Sequence, residues 1–560
     1  MANLNKTRTI FAFTSPRTIE KIIPEIQVLI DSFSGQDWNI DSQIGFYDKL
    51  CESDFFEGGI PSISGARKSF AARDRITRAP KALGFVDLKP KIALSIVGKQ
   101  LLSGKRTSEV IARQLFKFQL PSPYHKIPRD RGFNVKPYLE LLRLIKELGN
   151  ISKMEVAIYF VQMTHNNKFD SIVAAIKEFR TDVSKFKGNR RTFIEGKFTN
   201  EILKVYAEEI KANDLKTRES DDVSLAKFVK TKKGNHIDNA DAFIRYLRAT
   251  QFISFEKKTY RMIIAPSRTL EVDYVLKKVD RKANILINEK DYKKYLFNPD
   301  SLLLLTDNRK YLEKQLSKLS VKFDSTASIE SLKDLLEATE KKLISAAIEE
   351  TEVALKNYQE FDDIIDVFGK IQKKEVPDPP LYLEWNIWRA MVMINFAKQI
   401  KGNFVLDLDG VPLNPALGNM PDIQAEYDGF KMIIEVTMSS GNKQYEMEGE
   451  PVARHFGNLQ RNSDVPVYCL FVAPKISEGA LAHFFNLNRM NTKLYGGKTR
   501  IVPMNLNQFV SFITIAKDKS FNNSKFLKSF LDDLIQKNLS LDDESVWYQQ
   551  IHESIPVWVR

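Results

Sequence analysis

At 560 residues, with 43% apolar content, 37 Phe and 18 Tyr, the chain has the length of three or four domains and enough apolar material for large cores. A lone small module and a disordered basic tail are thereby excluded. Lys and Arg (84) outnumber Asp and Glu (71) to leave a net charge of +13, which suits a polyanionic partner, either nucleic acid or an acidic membrane face. Cys51 and Cys469 are too few for a disulfide framework or a four-Cys zinc site, and no apolar run approaches the roughly 18 residues that span a bilayer. A soluble, cytoplasmic protein without a membrane partner is the expectation.

The basic excess is local. Residues 66–106 carry eleven Lys or Arg against only Asp74 and Asp87, interleaved with Phe70, Ile76, Leu83, Phe85, Val86, Ile92, Leu94 and Ile96, the pattern of a folded cationic surface. It reads either as a DNA contact, with Arg73, Arg75, Arg78 and Lys81 as candidates, or as a solvated face without a ligand. Leu139, Leu142, Ile145 and Leu148 then predict a helix from Pro137 stopped by Gly149, and Ser152 with Glu155 forms a capping box for the next. A third helix over 169–179 completes an arrangement used by helix-turn-helix readers and by many plain helical cores. A helix over 240–249, strands at 252–255 and 260–264, and a closing Pro266 read as a winged helix, a module that contacts either DNA or protein. Residues 302–374 read as bridging helices, broken by Pro377, Pro379 and Pro380.

Beyond that break the spacing predicts a helix over 381–399 bearing Glu384, Trp385 and Trp388, a strand over 404–408, a loop over 410–420, and strands over 423–427 and 430–438. Asp428-Gly429 between the last two predicts a two-residue type I′ hairpin. Tyr427 then faces Phe430, and stepping outward along both strands sets Asp422 opposite Glu435. The opposite face, with Ile423, Ala425, Tyr427, Phe430, Met432 and Ile434, is the expected packing side. Two opposed carboxylates repel unless something compensates, and a hard divalent cation serving phosphoryl transfer would do so. The alternative is an Asp422 that ends its loop in solvent and a Glu435 paired with a lysine. Further strands are expected at 467–472 and 500–504.

Pro421-Asp422 followed by Glu435-Val436-Thr437 resembles the PD-(D/E)xK nuclease core, with Thr437 where the usual lysine stands. Together with Leu383-Glu384-Trp385, Gly418-Asn419-Met420 and the run Glu448-Gly449-Glu450-Pro451-Val452-Ala453-Arg454-His455, the chain resembles the AlwI-type type IIS restriction endonucleases and their nicking relatives. Ser15-Pro16-Arg17, Arg73-Asp74-Arg75, Gly84-Phe85-Val86 and residues 114–126 are similar to that family's recognition region, so the likeness covers most of the chain.

The resemblance implies Mg²⁺ as cofactor, Glu384, Asp422 and Glu435 as its ligands, and Glu448 and His455 as further catalytic residues. A helix beginning near Pro451 would leave Glu448 on the entering loop. Lys443 is the nearest downstream lysine that could replace the one missing at 437.

The expected architecture is multi-domain α+β: winged-helix-type DNA-recognition subdomains over 1–290, a helical linker over 291–378 and an α/β nuclease domain over 379–560. The expected function is Mg²⁺-dependent cleavage of double-stranded DNA at a displacement from an asymmetric site, leaving 5′-phosphate ends. Expected partners beyond DNA are a transient second copy or a second catalytic subunit, and a cognate methyltransferase. A strand-specific nickase and a non-catalytic winged-helix regulator are the competing readings.

Overall fold

Local rules set the helix boundaries of the amino-terminal half. Pro137 opens a helix over Pro137–Leu148, where its fixed φ suits the first turn, and Gly149 at φ +76° ends it. Ser152 caps the next helix, Lys153–Ile158, by accepting from the Glu155 amide, while the Glu155 carboxylate accepts from the Ser152 amide at 2.8 Å. The third helix starts at Phe169 and runs on to Lys185. The helix before the short hairpin is longer than expected, Leu225–Arg248, because Ser224 supplies its cap well upstream. Strands Ile253–Phe255 and Met262–Ile264 pair antiparallel behind it.

The computed structural model describes residues 4–16, 19–53, 55–56, 62–356, 358–394, 396–416 and 420–559. Arg17, Gly418 and Asn419 of the sequence motifs lie outside the described residues. The chain divides into two compact units, Met1–Glu340 and Lys341–Arg560. Residues 291–340 therefore pack with the first unit and 341–378 with the second.

The first unit is mainly helical around one apolar core that draws on residues from Ile10 to Leu304. A charged staple closes it: Arg113 meets Glu109 at 2.5 Å and Asp307 at 2.6 Å, and the buried Lys333 meets the same carboxylates at 2.8 and 2.5 Å. Two cations against two anions leave no net buried charge, the condition under which such a cluster is tolerated.

The second unit is built on a five-stranded sheet: β1 (Gln399–Gly402), β2 (Ile423–Tyr427), β3 (Phe430–Val436), β4 (Val467–Ala473) and β5 (Ile501–Asn505), in spatial order β5-β4-β3-β2-β1. β1, β2 and β3 run antiparallel to one another in sequence order, while β4 lies parallel to both β3 and β5. Helix α1 (Pro379–Ile394) and the helix Leu506–Asp518 pack on one face. Helices α2 (Asn442–Arg461) and α3 (Glu478–Arg489) pack on the other.

The structure corrects several expectations here. α1 stops at Ile394 instead of reaching 399, and Phe396 at φ +67° turns the chain out of the helical path into the edge strand β1. The strand expected over 404–408 shrinks to Val405–Leu406, paired with Pro412–Asn414 inside the expected loop. Positive φ in the β2–β3 turn is confined to Gly429, at +80°, whereas type I′ needs it at both central residues. The register is nevertheless the expected one, with Tyr427 opposite Phe430 and Ile423 opposite Ile434. Finally, both faces of the hairpin are packing sides, because Ile433 on the carboxylate face is as buried as Ile434 and packs against Val452 and Phe456 of α2.

Candidate active site

Asp422 lies one step beyond the last β2–β3 pair, where its Oδ2 accepts the Val436 amide at 2.7 Å. Glu435 is the penultimate residue of β3 and opposes Phe471 of β4. Both carboxylates are felt by the buried Cys469 thiol, which burial and then the charges of Glu435 and Asp422 push well up. The two acids therefore share the face that α2 covers, as the hairpin parity requires.

Alternate residues of the extended segment from Glu435 meet one face of α2. Glu435 Oε1 lies 2.9 Å from His455 Nδ1, with both side chains about nine-tenths buried, and this contact needs one proton between its partners. Thr437 Oγ1 donates to Glu448 Oε1 at 2.6 Å. The helix begins at Asn442 and carries Pro451 in its interior, so Glu448 lies on the helix and not on an entering loop. Proline is tolerated there because the carbonyl deprived of its donor belongs to Met447, an exposed residue that water can serve. The residue that takes the place of the motif lysine is thus spent on orienting Glu448. Its signal was in the sequence as the period-two step from 435 to 437, but only the helix register identifies its partner.

Glu384 is buried on α1, not on the surface, although a Glu beside two tryptophans usually is exposed. Burial, and next the charge of Asp422, raise its carboxyl well above the usual range, with a smaller push from Glu435 and an opposing bond from the Ala416 amide. Glu435 is likewise raised, by burial and then by Glu448. Glu384 Oε2 is buried without a hydrogen-bond partner. Among the described residues no set of three or more Asp, Glu, His or Cys side chains is arranged to hold a metal ion by itself. The chemistry of the donor set fits a hard cation, since carboxylates that raise one another's proton affinity gain most from a positive charge among them. Mg²⁺ keeps several waters and takes substrate phosphate beside its carboxylates, so it needs no closed protein cage.

The cationic segment is less free than its composition suggests. Arg75 pairs with the buried Glu25, with its guanidinium 4.4 Å over the Phe56 ring. Arg78 pairs with Asp74 at 2.5 Å and donates to Thr14 Oγ1 at 3.1 Å. Lys81 stands 4.7 Å over Tyr124, and burial lowers its ammonium pKa. Arg73 is the exposed one of the four, its Nε donating to the Ser69 carbonyl of its own helix at 3.3 Å. Beside it on the same solvent stripe of Gly65–Ile76 lie Arg67 and Phe70, the latter 53% exposed. Lys443 is exposed in the first turn of α2.

The model of the AlwI restriction endonuclease family matches residues 81–512. The chain belongs to the AlwI restriction endonuclease family. It is accordingly a restriction enzyme, a deoxyribonuclease whose partner is DNA. Among solved structures it is similar to the small subunit, R.BspD6I2, of the heterodimeric restriction endonuclease R.BspD6I. That match has 27% identity and a TM-score of 0.31, covering 35% of this chain and 99% of that one. It is also similar to the BpuJ1 endonuclease binding domain solved with pyrene- and phenanthrene-modified DNA, at 14% identity and a TM-score of 0.34, covering 52% of this chain and 96% of that one. No curated protein matches the chain. No helix among the described residues is long and apolar enough to cross a membrane.

Proposed function

We propose that this restriction enzyme is a Mg²⁺-dependent type IIS endonuclease that cuts DNA at a displacement from an asymmetric site and leaves 5′-phosphate ends. In this reading the first unit carries winged-helix-type recognition subdomains and the second is a PD-(D/E)xK-like nuclease domain. The observation that carries the reading is the gathering of Glu384, Asp422 and Glu435 at one end of the β2–β3 hairpin, with the carboxyls of Glu384 and Glu435 raised well above their usual range. Those three acids would hold the cation, which when bound supplies a positive charge for the scissile phosphate and acidifies water. The chain's own groups do the rest: His455 shares a proton with Glu435 and fixes that carboxylate's rotamer, and Thr437 holds Glu448 at the edge of the cluster. Exposed Arg73 is the candidate phosphate contact of the four cations named above.

Supercoiled plasmid carrying cognate sites tests the reading in one assay. Linear product that requires Mg²⁺ and is blocked by chelator supports it. Open-circle product replaces it with strand-specific nicking by one subunit of a pair, and cleavage that persists in chelator removes the cation. Run-off sequencing then gives the offset, and ligation without prior kinase treatment reports the 5′-phosphate. In this reading a second copy or second catalytic subunit completes double-strand cleavage, and a methyltransferase of the same system protects the site.

A further inference from the structure

The contact between the β3 strand end and helix α2 has a third member, beyond the carboxylate cluster. After Glu435 with His455 and Thr437 with Glu448, the next alternate residue, Ser439, meets Gln444, whose Nε2 donates to the Ser439 carbonyl at 2.9 Å. Gln444 and Glu448 stand four apart on the helix and so lie on one face. The Ser439 amide in turn donates to Thr437 Oγ1 at 3.0 Å, so both backbone groups of Ser439 are tied, the carbonyl to Gln444 of α2 and the amide to the hydroxyl that holds Glu448.

Gln444 is wholly buried and its amide is fully used. Nε2 also donates to the Lys475 carbonyl at 2.9 Å, and Oε1 accepts the Ser477 amide at 2.7 Å. Lys475 and Ser477 form the loop that leaves β4, the strand parallel to β3, and Ser477 is the cap of α3. One side chain therefore ties together the two loops at the carboxyl ends of adjacent parallel strands, the place where open α/β sheets present their chemistry.

We propose that Gln444 is a positioning residue of the cleavage site: it sets the Ser439 loop, and through it the Thr437–Glu448 contact, against the Lys475 loop. This rests on the nuclease reading of the carboxylate cluster. The pattern needs two donors and one acceptor on one planar group, which only a carboxamide supplies, and that of asparagine would sit one methylene short of these partners. The cost of losing it falls on the placement of Glu448 and not on DNA recognition, and an ångström of misplacement can cost about 10²-fold in rate.

The test compares the full-length enzyme with Gln444→Leu and Gln444→Glu in single-turnover cleavage, gel-shift binding without Mg²⁺, and thermal unfolding. The expected result for Gln444→Leu is a fall of roughly 10- to 100-fold in the cleavage rate, with DNA affinity and substrate KM unchanged. Gln444→Glu keeps the acceptor for Ser477 but sets a carboxylate against two carbonyls. Its deficit is expected to shrink as pH falls and the introduced acid regains one donor, a pH dependence that Gln444→Leu lacks. Wild-type cleavage rates in both variants, or parallel losses of binding, cleavage and unfolding temperature with no pH dependence in Gln444→Glu, overturn the proposal. If the parent enzyme itself cuts but Glu435→Ala also cuts, the cluster reading has failed, and this inference falls with it.

Discussion

Glu435 is the residue on which the proposed chemistry turns. Replacing it by alanine is expected to lower cleavage by about 10²-fold or more while leaving specific binding in Mg²⁺-free buffer intact, read by plasmid cleavage beside gel shift on one preparation. Retained cleavage would move the site elsewhere, and lost folding would make the residue structural. At the cationic segment two arginines two residues apart should behave differently. Arg73→Ala is expected to reduce the slope of log affinity against log salt by about 0.9, the value for one phosphate contact. Arg75→Ala should instead leave that slope unchanged and lower the unfolding temperature, because it strips the partner from the buried Glu25. Nothing in the sequence separates these two arginines. Their difference comes from a glutamate some fifty positions away that the fold brings under one of them.

At the scale of elements, His236 couples stability to pH. It sits on Leu225–Arg248, and because its Nδ1 faces the Ala157 carbonyl at 3.1 Å, that nitrogen carries the proton while Nε2 accepts from Tyr206 Oη at 3.2 Å. Burial pulls its pKa down to about 4, so in the unfolded chain, near 6.5, it takes up a proton that the native state refuses. The first unit is therefore expected to be most stable above about pH 6.5 and to lose up to about 3 kcal/mol through this group as pH falls towards 4. Urea unfolding at several pH values should show a shallower acid loss in His236→Gln, with the remainder due in part to His125, which burial also lowers to about 4. The sequence betrayed none of this, since a histidine inside an amphipathic helix carries no sign of what packs on it. Short-range features were legible: the Ser152 box, the stop at Gly149 and the β2–β3 register all follow from residues within a few positions of one another. The Pro451 helix and the burial of Glu384 were not, because a helix that packs against a sheet tolerates a proline, and buries an acid, that an isolated segment would not.

For the molecule as a whole, the division into Met1–Glu340 and Lys341–Arg560 falls inside one helix, Ile329–Lys356. From Lys341 on most of its residues are solvent-exposed, although Leu355 near its end is buried, whereas Leu332 and Lys333 near its start are buried and Lys333 is held by the charged staple. Limited proteolysis is expected to cut first within 341–356 and to leave two resistant fragments, identified by their new termini. An early cut between Ile423 and Val436 would contradict the architecture. That hairpin also limits how the gene can change. Since successive side chains of β3 point to opposite faces, losing one codon within 430–434 would carry Glu435 to the side covered by α1 and strip His455 of its partner. Losing two would return an acid to the correct side one step out of place. Lineages of this enzyme should therefore record length changes across these codons in even steps or not at all, a parity rule written by the pleat of a single strand.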